Sequence, residues 1–144
     1  MNDLARKAVE CKQRSIQLAY QFMRDVDNHL AENGLYDYVH YNVWCSPDHF
    51  LDDMDNVNIV DFDNGVLYQF EYQDAYEEIC DSYTENFIFD EWCTMSIEEV
   101  ANDIVRRSKE VMDKERRQAL LDLKRQAEAL NARFRKTHRT KINY

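Results

Sequence analysis

The chain opens with a long amphipathic pattern. From Leu4 to Leu30, apolar residues recur at helical spacing, so they would share one face of a helix. Asn33-Gly34 then supplies a typical C-terminal stop, because glycine readily adopts the left-handed conformation that ends many helices. The sequence therefore predicts a helix over residues 3–33 that buries one face.

A second helical pattern fills the C-terminal third of the chain. Ser96 and Glu99 have the spacing of a capping box, which starts a helix by satisfying free backbone N–H groups. An apolar stripe runs from Ile97 to Met112, and a polar stretch, 113–118, follows it. After that stretch, apolar residues repeat at alternating intervals of three and four, as in a coiled coil. We call this set the C-terminal seam: Leu120, Leu123, Ala127, Leu130 and Phe134.

The polar break between the two stripes predicts that the helix has two roles. We expect residues 1–112 to form a compact acidic α+β domain and residues 113–144 to form a basic helical extension. The C-terminal seam would then pair with the N-terminal helix or with another copy of the chain, giving a homodimer in the second case. The alternative is one helix that packs along its own domain throughout.

The segments between the helices predict strands and short helices. Residues 36–44 are aromatic and β-branched with no helical stripe, which predicts a strand. Ser46-Pro47 predicts the start of a short helix that continues through Met54. Further along, residues 74–82 predict a short acidic helix and residues 86–92 another strand.

The clearest local signal is Asp63-Asn64-Gly65 between two strand-like segments, 57–62 and 66–72. Asn-Gly is typical of tight two-residue hairpins because both residues accept a positive φ. One face of the hairpin would carry Val57, Ile59, Tyr68, Phe70 and Tyr72, and the other Val60, Phe62, Leu67 and Gln69. The first face should meet the helices, and the second is either another buried layer or an exposed adhesive surface. We therefore expect an α+β fold in which a small antiparallel sheet of three or four strands packs with two long terminal helices.

Charge is distributed unevenly along the chain. Residues 25–105 contain 21 aspartates and glutamates, 14 aromatic residues and no lysine or arginine. The net charge is +3 for residues 1–24, −21 for residues 25–105 and +8 for residues 106–144. At ordinary composition, a cation-free gap of this length has a chance probability on the order of 10⁻⁴. Such an asymmetry indicates an electrostatic partner.

An anionic surface of this size is suited to imitating nucleic acid. Duplex DNA carries one charge per ~1.7 Å of axis, so 21 carboxylates correspond to about ten base pairs. The partner would be a protein with a basic groove, such as a nuclease, restriction enzyme or CRISPR effector, and this chain its inhibitor. The alternative is a solvated acidic surface that serves solubility. The predicted partner-binding residues are Asp52, Asp53, Asp55, Asp61, Asp63, Glu71, Asp74, Glu77, Glu78, Asp81, Glu85, Asp90 and Glu91.

The basic C-terminal region supports a different hypothesis. The helix could dimerise through the C-terminal seam and lay its cations on nucleic acid or on an acidic protein. These cations are Arg133, Arg135, Lys136, Arg139 and Lys141. A direct binder would shift labelled DNA by itself, and truncation after Asp113 would abolish the shift. A third hypothesis is a structural adaptor or assembly subunit.

No catalytic motif accompanies these patterns. The sequence lacks G-x-S-x-G, a glycine-rich phosphate loop and H-E-x-x-H, and its carboxylate pairs are too abundant to be specific. We therefore expect a protein that is not an enzyme and that uses no cofactor. His40, Cys45, His49, Cys80 and Cys93 are of the types that bind zinc, but their spacing matches no zinc finger or ribbon, so we expect no metal.

Targeting signals are absent from the sequence. No apolar run approaches the ~20 residues of a membrane span, and the first residues do not form a signal peptide, so we expect a cytoplasmic protein. Its four irregularly spaced cysteines fit reduced thiols in that compartment. The plan of a short, Tyr-rich acidic domain followed by a charged, capped helix resembles that of small phage-encoded proteins. This resemblance implies a virus that counters host machinery in the host cytoplasm.

Overall fold

A computed structural model describes residues 2–47, 57–73 and 81–142. The chain divides into two units, Met1–Ser108 and Lys109–Tyr144. The first unit holds the sheet and the hydrophobic core, and the second is helical. The short helix predicted from Ser46-Pro47 through Met54 lies almost wholly outside the described residues.

The N-terminal helix, α1, spans Asp3–Glu32, close to its predicted range. The Asn2 side chain accepts a hydrogen bond from the Ala5 amide at 3.1 Å, which satisfies one free N–H of the first turn. At the other end Gly34 takes a φ of 64°, and the Leu35 amide donates to the Leu30 carbonyl at 2.9 Å. The buried face of α1 comprises Ile16, Ala19, Met23, Val26, Asp27 and Leu30.

Three antiparallel strands form the sheet in the order β1-β2-β3, which confirms the α+β prediction. The strands are β1 (Val57–Phe62), β2 (Gly65–Gln73) and β3 (Asp81–Phe89). Val57 and Tyr68 are buried against the helices, and the Tyr68 and Ser15 hydroxyls share a hydrogen bond at 3.0 Å. This inner face matches the predicted one.

The outer face of the sheet is partly exposed rather than a second buried layer. Val60 is 37% exposed and Phe62 is 51% exposed. The rings of Phe62 and Phe87 lie 5.5 Å apart, and the rings of Phe87 and Phe89 lie 4.4 Å apart. An aromatic cluster therefore covers the end of this face nearest the β1–β2 turn.

The hairpin is present, but its predicted Asn-Gly turn is wrong in register. Asp63 and Asn64 form the turn, and Gly65 already pairs with Phe62 as the first residue of β2. Among the described residues only glycines have positive φ, so Asn64 does not. Gly65 is required here for a different reason: a Cβ at this position would collide with the Ile88 carbonyl oxygen and would lie 2.5 Å from Cε1 of Phe87.

The predicted strand over residues 36–44 is wrong. Tyr36–Tyr38 form a 3₁₀ turn, and the rest is a loop that buries Trp44. Local turn hydrogen bonds and side chains from elsewhere, rather than a neighbouring strand, satisfy its backbone. The His40 amide donates to Oγ of Ser108 at 3.0 Å, and the Cys45 amide donates to Oδ1 of Asn86 at 2.8 Å.

Two other boundary predictions need correction. Of the predicted acidic helix 74–82, residues 74–80 lie outside the described residues, while Asp81 and Ser82 belong to β3. The predicted strand 86–92 begins earlier and ends at Phe89, because a 3₁₀ segment over Asp90–Thr94 follows. That segment places Trp92 in the core.

The second long helix, α2, spans Ile97–Ile142. The Glu99 amide donates to Oγ of Ser96 at 3.2 Å, which confirms the serine cap. Val100 and Ile104 of the first stripe are fully buried in the core. The polar stretch 113–118 does not interrupt the helix. Neither long helix has an apolar stretch, within the residues described, that could cross a membrane.

Candidate acidic interaction surface

Seven of the thirteen predicted partner-binding carboxylates lie in the described residues. Asp52, Asp53, Asp55, Asp74, Glu77 and Glu78 fall outside them. The others occupy the strands, the β1–β2 turn and the 3₁₀ segment after β3: Asp61, Asp63, Glu71, Asp81, Glu85, Asp90 and Glu91. The fold thus places acids on the strands and also on the turn and the 3₁₀ segment beside the sheet.

One group surrounds the β1–β2 turn. The Asp90 amide donates to the Asn64 carbonyl at 2.9 Å, so the start of the 3₁₀ segment lies beside the turn. Asp61, Asp63 and Asp90 are all exposed. We call these three carboxylates together with Phe62 the turn-end surface. It combines negative charge with an exposed aromatic side chain, as protein interfaces often do.

Further acids lie along β2 and β3. The strand register pairs Gln69 with Glu85, and Nε2 of Gln69 donates to Oε1 of Glu85 at 2.9 Å. In the same backbone register Glu71 pairs with Tyr83, and Asp81 pairs with Gln73. Since none of the three strands contains lysine or arginine, no cation comes from the sheet itself.

Glu91 has a different environment from its neighbours. The Arg107 guanidinium forms an ion pair with Glu91 and another with Asp103, and it lies 3.7 Å from the centre of the Phe89 ring. Arg107, which follows the acidic stretch in the sequence, therefore brings positive charge from α2 back to that stretch. Glu91 is partly neutralised, while Asp61, Asp63 and Asp90 form no ion pair within the described residues.

Two aspartates of the acidic stretch serve the core, which sequence reasoning missed. Oδ1 of buried Asp27 accepts the Trp44 indole N–H at 3.4 Å, and Oδ2 accepts the Ser46 hydroxyl at 3.1 Å. Oδ2 of buried Asp103 accepts the Trp92 indole N–H at 2.7 Å. A sequence signal did exist, because both aspartates stand at helical spacing within an apolar stripe.

Asp103 has a perturbed pKa. Burial by itself raises the pKa of this carboxyl, but hydrogen bonds from Arg107, Trp92 and Arg106 outweigh burial and lower the pKa to about 2. The Arg106 guanidinium approaches Oδ1 at 2.6 Å. Asp103 therefore stays ionised at neutral pH and ties α2 to the 3₁₀ segment.

The thiol and imidazole groups do not form a metal site in the described part of the chain. His40 and Cys45 lie in one loop, whereas His49 and Cys80 fall outside the described residues. Within 2–47, 57–73 and 81–142, no group of three His, Cys, Asp or Glu side chains is arranged to hold a metal. Burial, and then the charge of Glu85, raises the pKa of the Cys45 thiol, which favours the protonated form over a thiolate ligand.

An open apolar groove of about 730 Å³ lies between α1, the inner sheet face and the 3₁₀ segment. Leu18, Phe22, Ile88 and Met95 form part of its lining, and among the described residues Arg14 is the one charged side chain that lines it. Its volume lies in the range of small-molecule sites. The side chains that line it in the described part of the chain are mostly apolar.

The C-terminal seam lies in the second unit and faces solvent in the isolated chain. Leu120, Leu123, Leu130 and Phe134 are between 61% and 69% exposed, and Ala127 is also exposed. Exposed apolar side chains in a row are a common feature of interaction surfaces.

Comparison with protein families, characterised proteins and solved structures gives no significant match. The function must therefore be inferred from the chain's own residues.

Proposed function

We propose that this protein is a non-catalytic binder that uses its acidic sheet to occupy the basic groove of a nucleic-acid-handling protein and so inhibits it. The three exposed carboxylates of the turn-end surface, set within a stretch of 81 residues that contains no cation, are the observation that supports this proposal. A basic groove selected for phosphates would attract such a surface and would meet no opposing positive charge on the strands.

The turn-end surface adds an apolar contact to this electrostatic attraction. Phe62 is half-exposed beside the carboxylates, and its packing against Phe87 restricts the ring. A rigid aromatic side chain provides contact area at a low entropy cost. We expect charge to accelerate encounter and Phe62 to slow dissociation.

The test is capture of nucleic-acid-handling proteins from host lysate, followed by an assay of the captured protein's activity. The variant Asp61→Asn/Asp63→Asn/Asp90→Asn should bind the captured protein at least tenfold more weakly and should lose inhibition, because it removes three of the charges that face the groove. Binding of the unaltered chain should also weaken as salt is raised.

A matched control carries the same change in net charge elsewhere. Asp25→Asn/Glu32→Gln/Asp37→Asn neutralises three exposed carboxylates on α1 and the following turn. This control should retain most of the affinity. Equal losses in the two triple variants would mean that only total charge matters, and undiminished binding by the turn-end variant would refute the proposed surface.

The second candidate function is an adaptor that acts through the basic C-terminal helix. Residues 129–142 contain five cations and no acid, and the exposed C-terminal seam precedes and overlaps them. In the same capture experiment this function predicts that the chain retains nucleic acid or acidic proteins, with no effect of the turn-end variant.

A further inference from the structure

The C-terminal seam has the geometry of a two-helix interface. Its residues alternate in steps of three and four, so Leu120, Ala127 and Phe134 hold a positions and Leu123 and Leu130 hold d positions of a heptad. Both sets fall within one continuous helix, and all five residues are exposed in the isolated chain. The seam has no acid among its flanking e and g positions from Arg117 to Arg133.

Side-chain size distinguishes the two ways in which a second copy could pair with the seam. In a parallel pair, equivalent residues meet, so Ala127 would face Ala127 and Phe134 would face Phe134. One layer would then be underfilled and another crowded, and both faults destabilise a packed interface. In an antiparallel pair, a positions meet d positions, so Ala127 faces Leu130 and Phe134 faces Leu123. These two layers, each of which occurs twice in the pair, combine residues whose volumes compensate, while Leu120 falls opposite Thr137.

The same layers determine how the two antiparallel helices are aligned along their axes. Pairing Ala127 with Leu130 of the second copy buries Phe134 against Leu123. A shift by one heptad would instead place Phe134 opposite Arg116. The first register leaves Leu120 opposite Thr137, whereas the shifted register leaves the larger Phe134 opposite a charged side chain, so the first register is preferred.

Charge favours the same orientation. Residues 129–142 carry a net charge of +5, and a parallel pair would set two such segments side by side. In the antiparallel register they lie beside residues 115–128 of the second copy, whose net charge is +1 because Glu115, Asp122 and Glu128 offset four cations. Antiparallel helix dipoles also attract, whereas parallel dipoles repel.

We propose that the C-terminal seam binds a second copy of this chain as an antiparallel two-helix coil centred between Ala127 and Leu130. The proposed interface does not involve the acidic sheet. The experiments on dimerisation can therefore refute it without refuting the inhibitory function proposed above. A seam of about two heptads gives a modest contact, and the dimer should therefore dissociate on dilution.

Sedimentation of the full chain at micromolar to submillimolar concentrations tests self-association. The chain should sediment as a dimer at the upper end of this range, and Leu130→Asp should weaken dimerisation at least tenfold by placing an unpaired charge in the seam. Leu121→Asp makes the same chemical change one position away from the seam, at a side chain that is 48% exposed, and should leave dimerisation nearly unchanged. Circular dichroism checks that both variants keep their helix.

Spin labels attached through non-cysteine chemistry at Gln118 or Arg125 test orientation. In the antiparallel register the two labels of a dimer are offset along the axis by about 31 Å at position 118 and about 10 Å at position 125, at ~1.5 Å per residue. A parallel pair would give equal separations at the two positions and would overturn the proposal. A monomer at every concentration, or equal effects of Leu130→Asp and Leu121→Asp, would also overturn it.

Discussion

At the scale of single residues, the acidic composition has two different uses. Asp27 and Asp103 are buried and each accepts the indole N–H of a tryptophan, whereas Asp61, Asp63 and Asp90 are exposed. A buried carboxylate without partners would be costly, so the hydrogen bonds to Trp44 and Trp92 are a condition of burial. An aspartate in an apolar stripe is thus a structural residue even where the surrounding sequence is strongly acidic.

The Asp103 carboxyl should make stability depend on pH. Because its pKa falls from 3.8 to about 2 on folding, its contribution is present above about pH 4 and is lost as pH falls toward 2. The unaltered chain should therefore exceed Asp103→Asn in free energy of unfolding by about 1–2 kcal/mol near neutral pH, and by progressively less below pH 4. Urea denaturation across this range measures the difference. Asp37→Asn, at an exposed carboxylate, is the control, and a gap for Asp103→Asn that stayed constant to pH 2 would contradict the assignment.

At the scale of elements, tertiary contacts decided the local structure that propensity left ambiguous. The loop that contains Trp44 has strand-like composition, yet buried Asn86 holds it through both backbone groups of one residue. Oδ1 of Asn86 accepts the Cys45 amide, and Nδ2 donates to the Cys45 carbonyl at 2.9 Å. These bonds replace the ladder of a strand, since buried backbone groups require some partner.

Gly65 should be the critical glycine of the hairpin. Gly65→Ala should lower the free energy of unfolding by about 2 kcal/mol, because the new Cβ would collide with the Ile88 carbonyl oxygen and crowd the Phe87 ring where β2 meets β3. Gly34→Ala is the matched change at the end of α1: no atom lies within 4 Å of its Cβ, and only its φ of +64° is unfavourable, so it should lose about 1 kcal/mol. Denaturant titration gives both values. A smaller loss at Gly65 than at Gly34 would show that the strands adjust without cost.

At the scale of the whole molecule, the two units carry opposite charge. The unit Met1–Ser108 has a net charge of −16 and the unit Lys109–Tyr144 has a net charge of +6. The proposed acidic contact and the proposed helix pairing therefore lie in units of opposite sign. Salt should act on them in opposite directions.

Raising salt should strengthen dimerisation while it weakens capture of a basic partner. Two copies of the chain repel each other, because each carries a net charge of −10 and each helical seam is flanked by cations. Screening reduces that repulsion and leaves the apolar contact intact, so the dimer dissociation constant should fall between low and physiological salt. Sedimentation at several salt concentrations measures this trend. Dimerisation that weakened with salt would indicate attraction between opposite charges instead.

The sequence by itself determined the two long helices, the serine cap, the hairpin segments and the C-terminal seam. Each of these features depends on periodicity or on a cap within a few residues, such as Ser96 with Glu99. Local features of this kind can be recognised without knowledge of the rest of the fold. The uneven distribution of charge was also evident from the sequence, because it follows from the residue types alone. The sequence could not say which carboxylates share a surface.

Only the tertiary structure decided how the acids are used. The hydrogen bond from Asp90 to Asn64 brings a residue from beyond β3 beside the turn that carries Asp63, and Arg107 reaches back to neutralise Glu91. Tertiary contacts also place Asp27 and Asp103 in the core and hold the segment around Trp44 as a loop. These outcomes depend on contacts between residues far apart in the chain, where burial and hydrogen-bond satisfaction outweigh local propensity.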